Sequence, residues 1–264
     1  GHVLEARGQP AAAEAEYRNM LVLTRQLVAL NPDNSEYARK LGAAHNDLGK
    51  MALLRGDLAT AVSEYRADDA METRLSEHDP KDNKQREYVL KVRAILGRTL
   101  ALAGDSQTGM RNLQQAVAMA AEQVSADPNN TSSQEFLALY SLQLARLKRA
   151  TGNRAAARAL TAKATTIFAA LTKKDPSNDD WKIEYAEALT EEAAEQQAVG
   201  GNMDAARSSA QRALTMLEPL LAKHPAERST LLATLKGKLL LAPLTADHAT
   251  AQTLREQALQ IIQT

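Results

Sequence analysis

Three basic residues recur at a fixed interval along the chain: Lys50, Arg98 and Arg146 are 48 residues apart. Ammonium and guanidinium groups donate charge-assisted hydrogen bonds to carboxylates. If the three side chains share one face of the molecule, they would suit an acidic peptide segment or a peptide C-terminus. The competing interpretation is that they are ordinary solvated side chains, and the spacing by itself does not decide between the two.

Catalytic and metal-binding motifs are missing from the sequence. It contains no phosphate-binding glycine loop followed by Lys-Ser or Lys-Thr, no His-Glu-x-x-His and no Gly-x-Ser-x-Gly. Cysteine is absent, and none of the five histidines has another histidine or paired carboxylates at ligand spacing. His45 could face a binding surface, but a packed or solvated histidine is the expected outcome. The sequence therefore predicts a chain that is not an enzyme and holds no metal or cofactor.

Two interleaved series of turn residues define the elements that carry these side chains. A glycine followed by Asp or Asn occurs at Gly56, Gly104, Gly152 and Gly201, with a weaker copy at Gly8. Glycine can adopt the left-handed conformation that ends a helix, and Asp or Asn can cap the next helix. Halfway between lie Pro32, Pro80, Pro128, Pro176 and Pro225. Each series steps by 48 residues, and by 49 at its last step, so the pattern predicts paired helices of about 20 residues each.

This pattern resembles that of the tetratricopeptide repeat family. The family has Leu-Gly late in its first helix, Gly-Asp at the turn, Ala-x-x-x-aromatic in its second helix and a closing proline. The chain shows these marks in order at Leu48-Gly49, Gly56-Asp57, Ala61, Tyr65 and Pro80. The family period is about 34 residues, so each helix here gains close to two turns. Two whole turns preserve the side of a helix that faces inward.

The resemblance implies an all-α fold, a right-handed α-solenoid of stacked antiparallel helix hairpins with long helices. We expect one repeat array over residues 1–264, with a truncated first repeat at 1–30 and a shorter capping hairpin at 225–264. Full repeats are expected at 31–79, 80–127, 128–175 and 176–224. A predicted core column, formed by equivalent positions of the second helices, contains Leu23, Met71, Met119, Ile167 and Met216.

The resemblance also suggests which residues bind a partner. In arrays of this family the first helix of each pair lines a concave groove, and the residue after the Gly49 position faces it. The expected partner-binding residues are Asn46, Lys50, Lys91, Arg98, Arg146 and Arg149. Some family members clamp C-terminal carboxylates with basic groove residues. This chain does not reproduce that clamp residue for residue, so the class of ligand stays open.

Composition narrows the classes of partner. The 32 basic and 32 acidic residues give a formal net charge of zero, and only 3% of residues are aromatic, which argues against nucleic acid. No run of 18 apolar residues occurs, so no membrane span is expected. Trp181, Tyr185 and Tyr140 are candidates for the aromatic floor of a small-molecule site, although core packing is the expected role for them.

The predicted function is that of a protein-interaction scaffold or sensor domain that binds a protein or an acidic peptide in its concave groove. Long-period arrays with these marks look like those appended to bacterial serine/threonine kinases and signalling proteins. We therefore expect the chain to be the C-terminal region of such a protein. Gly1 falls inside a first-type helix, by which we mean the first helix of a pair, the second being a second-type helix. This position agrees with the chain being an excerpt of a longer protein. The alternatives are a small-molecule or oligosaccharide-sensing arm and a dimer formed through the array ends. The compartment stays open: periplasmic beside a transmembrane kinase, otherwise cytoplasmic.

Overall fold

The computed structural model describes residues 1–198, 200 and 202–263. Within these residues the secondary structure is helical, and no strand occurs. The helices are α1 (His2–Ala6), α2 (Pro10–Leu30), α3 (Ser35–Leu54), α4 (Leu58–His78), α5 (Asn83–Leu102), α6 (Ser106–Ala126), α7 (Thr131–Ala150), α8 (Arg154–Lys174), α9 (Asp179–Ala198), α10 (Met203–Lys223), α11 (Arg228–Leu241) and α12 (His248–Gln263). A 3-10 turn at Ala242–Leu244 joins the last two. The predicted all-α fold class is therefore confirmed.

The glycine turns end the first helix of each hairpin. Gly56 has φ +76°, and no atom lies within 4 Å of the point that a Cβ would occupy, so the backbone conformation alone selects glycine here. The side chain of Asp57 then caps α4 by accepting a hydrogen bond of 3.1 Å from the backbone N–H of Thr60. In the fourth copy of this turn the left-handed residue is Gly200, with φ +60°. The predicted turn residue Gly201 lies outside the described residues.

The proline turns begin α3, α5, α7 and α9 with an Asn or Asp cap, whereas α11 has Glu227 at this position and no side-chain cap. Asn34 accepts hydrogen bonds from the backbone N–H groups of Glu36 and Tyr37 at 3.0 and 3.1 Å, and Asp82 accepts one from Gln85 at 3.0 Å. The turn residues predict helices at 10–30, 35–54, 106–126, 131–150 and 203–223, and α2, α3, α6, α7 and α10 have these bounds because both ends of each helix are fixed by local chemistry. The predicted helices 58–77, 83–103 and 154–173 differ by one residue from α4, α5 and α8. The predicted end of α9, Val199, lies outside the described residues.

The chain forms two compact units, residues 1–126 with α1–α6 and residues 127–264 with α7–α12. In each unit, consecutive helices pack against one another as antiparallel hairpins. The core of the first unit includes Tyr17, Leu41 and Tyr65, and that of the second includes Phe168 and Leu217. That the whole chain is one continuous array stays a prediction.

One predicted core position is wrong. Leu23 of α2 is 59% exposed, whereas Met71, Met119, Ile167 and Met216 are buried or half-buried. Met71 packs beside Gly42 of α3, the first helix of its own hairpin. In the hairpin of α2 the first helix is α1, which has only five residues, so it does not extend far enough to cover Leu23.

Candidate functional site

A groove in the first unit lies between two of its first-type helices. It has a volume of about 530 Å³ and is walled by α3 and α5, with α4 behind them and residues of α1 and α2 at one edge. Apolar and aromatic side chains line part of it, namely Met20, Tyr88, Val92 and Ile95. Tyr88 is exposed and Ile95 is half-buried, so apolar surface is accessible to a ligand.

Two carboxylates from the second-type helix α4 form the back of the groove. Asp68 and Glu72, one helical turn apart, line the groove and are only 2% and 7% exposed. Asn46 Nδ2 donates a hydrogen bond of 2.7 Å to Asp68 Oδ2, and Gln85 Nε2 donates one to Glu72 Oε2. Both donors are neutral amides. Neither carboxylate forms an ion pair with any residue in the described part of the chain. Asp68 is left without a counter-ion, and the charge of Arg39, which pairs with Asp82, acts on Glu72 without direct contact.

The environment disfavours ionisation of these carboxylates. Burial raises the pKa of Asp68 to about 7, opposed by the hydrogen bond from Asn46 and reinforced by Glu72, Asp69 and Asp47. Burial also raises the pKa of Glu72, opposed by Gln85 and by the charge of Arg39. The back of the groove is therefore an acidic site whose charge depends on pH.

The basic residues around the groove already have acidic partners. Lys40 Nζ lies 2.9 Å from Glu36, and Arg39 lies 3.2 Å from Asp82. Lys91 Nζ pairs with Glu87 and lies 5.7 Å from the ring centre of Tyr88. The positive charge at the rim is thus balanced locally, whereas the negative charge at the back is not.

The predicted partner-binding residues of the first unit occupy different environments. Asn46 and Lys91 line the groove. Lys50 lies outside its lining and pairs with Glu5 of α1 at 3.0 Å. Arg98 is exposed and makes no hydrogen bond or ion pair with any of the residues described. Their joint role in binding a partner is not tested by this geometry and remains a proposal.

The predicted residues of the second unit, Arg146 and Arg149, join α7 to α9. Arg146 donates hydrogen bonds of 2.5 Å to Glu187 and 2.7 Å to Glu191. Arg149 lies 2.6 Å from Glu191 and 3.6 Å from Glu195. Two arginines and three carboxylates therefore form one network of ion pairs between neighbouring first-type helices, in which Arg146 is fully engaged. Arg149 Nη1 and both oxygens of Glu195 are buried in it without a hydrogen bond to any described residue.

The pKa shifts differ between the carboxylates of this network. Burial raises the pKa of Glu195 although the charge of Arg149 opposes this. Burial alone would raise the pKa of Glu187, but Arg146 and Lys236 lower it below its ordinary value. Lys236 Nζ of α11 lies 2.9 Å from Glu187. The neighbouring Glu184 forms no ion pair with a described residue, and burial raises its pKa to about 7. Arg146 thus stabilises two carboxylates that would otherwise resist burial.

The other side chains considered from the sequence belong to the packed interior. His45 is buried, and its Nδ1 lies 2.6 Å from Glu64 of α4. Trp181 and Tyr140 are also buried, and Trp181 Nε1 donates a hydrogen bond of 2.9 Å to Glu135. The hydroxyl of Tyr185 accepts a hydrogen bond from Arg212 at 2.8 Å. Among the described residues no cluster of metal ligands occurs, and no helix is long and apolar enough to span a membrane.

Sequence reasoning missed Asp68 and Glu72. The resemblance to known repeats directs attention to first-type helices, whereas these two residues lie on a second-type helix. They could have been found by comparing equivalent positions in the successive repeats of the chain. At the equivalent positions of the next three hairpins the residues are Ala116, Ala164 and Ala213 for Asp68, and Ala120, Phe168 and Leu217 for Glu72.

Comparison with known proteins shows the fold. No protein-family model matches the chain, and no curated protein matches it in sequence. The crystal structure of BtubC (BKLC) from P. vanneervenii is similar with a TM-score of 0.68 and 16% identity, over 96% of this chain and 90% of that chain. MamA aligns with a TM-score of 0.48 and 17% identity, over 84% of this chain and 95% of that chain. A putative kinesin light chain of Podosopora anserina with TPR-like repeats aligns with a TM-score of 0.49 and 21% identity, over 83% and 93%.

Of these three, the likeness to BtubC carries an argument, and at that identity it concerns the fold and nothing further. Together with the hairpins described above, it shows an all-α fold of stacked antiparallel helix hairpins.

Proposed function

We propose that the chain is a protein-interaction scaffold and that the groove between α3 and α5 binds a segment of a partner protein. The observation that supports this most directly is the groove itself, which has about 530 Å³ of space and accessible apolar lining. A concave surface with a few polar groups among apolar ones is the usual form of a ligand site. Repeat arrays of this fold class present such surfaces without catalytic machinery.

The six predicted residues enter this proposal with unequal weight. Asn46 and Lys91 line the groove and are the members that a ligand there would contact first. Lys50 and Arg98 lie in the same unit and would contact a longer segment. Arg146 and Arg149 are held by carboxylates of α9, so an acidic partner would have to displace those carboxylates. The support for an acidic partner is therefore the sequence spacing and the exposure of Arg98.

The finer part of the proposal is that the array belongs to a bacterial signalling protein, such as a serine/threonine kinase, in which it acts as the sensor or docking region. The resemblance of its repeat marks to such appended arrays supports this. The sequence of the complete gene tests it: a kinase domain preceding Gly1 is the expected finding, and its absence would remove this part without affecting the groove.

A pair of alanine-to-tryptophan variants tests the groove. Ala43 is an exposed groove residue of α3, and Ala59 is an exposed residue of α4 outside the groove lining. Random peptides would be selected on the wild-type protein by display, and individual binders measured by fluorescence polarisation. Ala43→Trp fills the groove and should weaken binding by about tenfold or more, whereas Ala59→Trp should not change it. Selected peptides that bind Ala43→Trp as tightly as wild type, or a selection that yields no binder, would contradict the proposal.

A further inference from the structure

Two carboxylate oxygens at the back of the groove accept no hydrogen bond from the described residues. Asp68 Oδ1 and Glu72 Oε1 accept no hydrogen bond there, although the second oxygen of each carboxylate does. Both residues are more than nine-tenths buried, and both line the cavity. Neither oxygen is among the fully buried side-chain atoms that lack a partner in the described part of the chain, so both are open to the cavity, where a ligand can reach them.

Gly42 of α3 makes room for these oxygens. A Cβ at this position would lie 2.9 Å from Glu72 Oε1 and 3.1 Å from Asp68 Oδ1. Both oxygens therefore lie against one point of the α3 backbone, where any larger residue would displace them. Glycine inside a helix is less favourable than alanine, so the site carries a local cost.

The other hairpins show that the fold does not require a glycine and two acids at these positions. The residues equivalent to Gly42 are Leu90, Ala138 and Ala186, and all three are fully buried. The residues equivalent to Asp68 and Glu72 are fully buried too, namely Ala116, Ala164 and Ala213 for Asp68, and Ala120, Phe168 and Leu217 for Glu72. One hairpin of the chain thus replaces an ordinary apolar contact with a glycine and two acids. Local rules that are broken together at one place are typical of functional sites.

We propose that this acidic pair is a binding site for a cationic side chain, lysine or arginine, presented by the partner segment in the groove. An ammonium or guanidinium group would donate hydrogen bonds to Asp68 Oδ1 and Glu72 Oε1 and supply the missing counter-charge. The apolar stem of the side chain would pass Met20, Tyr88 and Ile95. This inference rests on the groove being the partner site, and it opposes an acidic ligand at this position.

The charged groups around Asp68 set the pH dependence of binding. From α4 it is faced by Glu72 and Asp69, from α3 by Asp47, with Arg39 nearer to Glu72. Lys91 of α5 and His2 of α1 also line the groove. The acids outweigh the bases near Asp68, and burial raises its pKa to about 7. Binding of a cation needs the ionised form, so affinity should rise as the pH increases through this pKa, with release of a proton.

The decisive experiment compares peptide selection on three proteins at about pH 8, where Asp68 is ionised. These are the wild type, the isosteric variant Asp68→Asn with Glu72→Gln, and an apolar variant. The apolar variant carries Gly42→Ala, Asp68→Ala and Glu72→Phe, which is the combination that the chain itself uses at Ala138, Ala164 and Phe168. Since that set packs well in its own hairpin, the variant should fold, which circular dichroism would verify.

We expect the wild type to select peptides with a lysine or arginine at one shared position, and neither variant to do so. One selected peptide is then synthesised with lysine, norleucine or glutamate at that position and titrated by calorimetry. Norleucine should weaken binding by about tenfold or more, since a buried charge pair loses one partner, and glutamate should weaken it further. The lysine peptide should also bind less tightly at about pH 6.

The outcomes separate this inference from the proposed function. If the wild type selects peptides that Ala43→Trp rejects but that lack a basic position, the groove binds a segment and the cationic site is wrong. A preference for acidic residues, or the same basic preference in both neutral variants, would also overturn it. If the wild type selects nothing, the proposed function fails, and this inference fails with it.

Discussion

Asn46 Nδ2 donates a hydrogen bond of 2.7 Å to Asp68 Oδ2, and it is the single donor to this buried carboxylate among the described residues. A neutral amide satisfies one oxygen but supplies no positive charge. The hydrogen bond therefore holds Asp68 in place without fully stabilising its ionised form, which explains why the pKa stays high despite the contact.

Replacing Asp68 with asparagine should stabilise the protein. The folded pKa of about 7 lies above the unfolded value of about 3.9, so the folded state binds the proton more tightly. Stability from this group is then full at low pH and is lost as the pH rises through the folded pKa. Asp68→Asn keeps the shape and cannot ionise. Its free energy of unfolding should exceed that of wild type by on the order of 2–3 kcal/mol at about pH 8, and match it near about pH 4.

Urea unfolding at both pH values measures this effect, and Asp105→Asn is the control. Asp105 is exposed and caps α6, where its hydrogen bonds with Thr108 lower its pKa. Its substitution should produce no gain at high pH. A destabilised Asp68→Asn at about pH 8 would contradict the assignment of an uncompensated charge.

Replacing Asn46 with leucine should raise the pKa of Asp68 further. The hydrogen bond from Asn46 lowers that pKa, and leucine fills a similar volume without donating. The carboxyl carbon of Asp68, followed by NMR during a pH titration, should report an inflection above about 7 in the variant. The carboxyl of Asp105 provides an internal reference that should not move. An unchanged or lower inflection for Asp68 would show that water replaces the amide.

Arg146→Met should destabilise the second unit, since it leaves Glu187 and Glu191 without their shared partner. The Arg146 side chain is 31% exposed, so solvent moderates the loss, which should be about 2–3 kcal/mol. The equivalent substitution Arg98→Met removes an exposed side chain without an ion pair to described residues and should change stability by less than about 0.5 kcal/mol.

Fluorescence of Trp181 is the suitable measurement for this pair, because it is the only tryptophan in the sequence, and it is buried in the second unit. Equal losses of unfolding free energy for Arg146→Met and Arg98→Met would show that the ion pairs between α7 and α9 contribute nothing to stability. Repeating both at high salt should narrow the difference only in part, since the network is half-buried.

Gly56→Ala should cost about 1 kcal/mol, and Gly56→Asn distinctly less. The residue has φ +76° and open space around its Cα, so only the backbone conformation opposes a side chain. Asparagine tolerates the left-handed region better than alanine. Urea unfolding followed by circular dichroism compares the two variants, and an alanine variant as stable as wild type would show that the turn readjusts freely.

The helices are predictable from the sequence because their ends are determined locally. Pro10, Asn34, Gly56 and Asp57 act through their own backbone conformation or through hydrogen bonds that span at most three residues. The site depends on contacts that are not local. Lys50 pairs with Glu5, and Arg146 with Glu191, through long side chains that are 45 residues apart in sequence. The periodicity of the sequence gives only the helix face that carries each of these residues, and does not give the partner of its side chain.

The sequence predicts that first-type helices line a groove, and α3 and α5 do line one, but the sequence does not reveal the charge of that groove. The register of first-type helices predicts Asn46 and Lys91 as binding residues, and both line the groove. Asp68 and Glu72 reach it from behind, between two helices, which a pattern confined to one helix face does not show. Comparing each repeat position with its counterparts, as for Asp68 with Ala116, would have identified them.

The position of the acidic pair on α4 links recognition to packing. Asp68 and Glu72 share their helix with Ala61, Tyr65 and Leu75, which are core residues of the same unit. A mutation that changes the charge presented to the groove therefore alters the interior of the hairpin in the same step. Ligand preference here would evolve through trade-offs with folding, whereas a solvent-facing residue such as Arg98 could change at almost no cost.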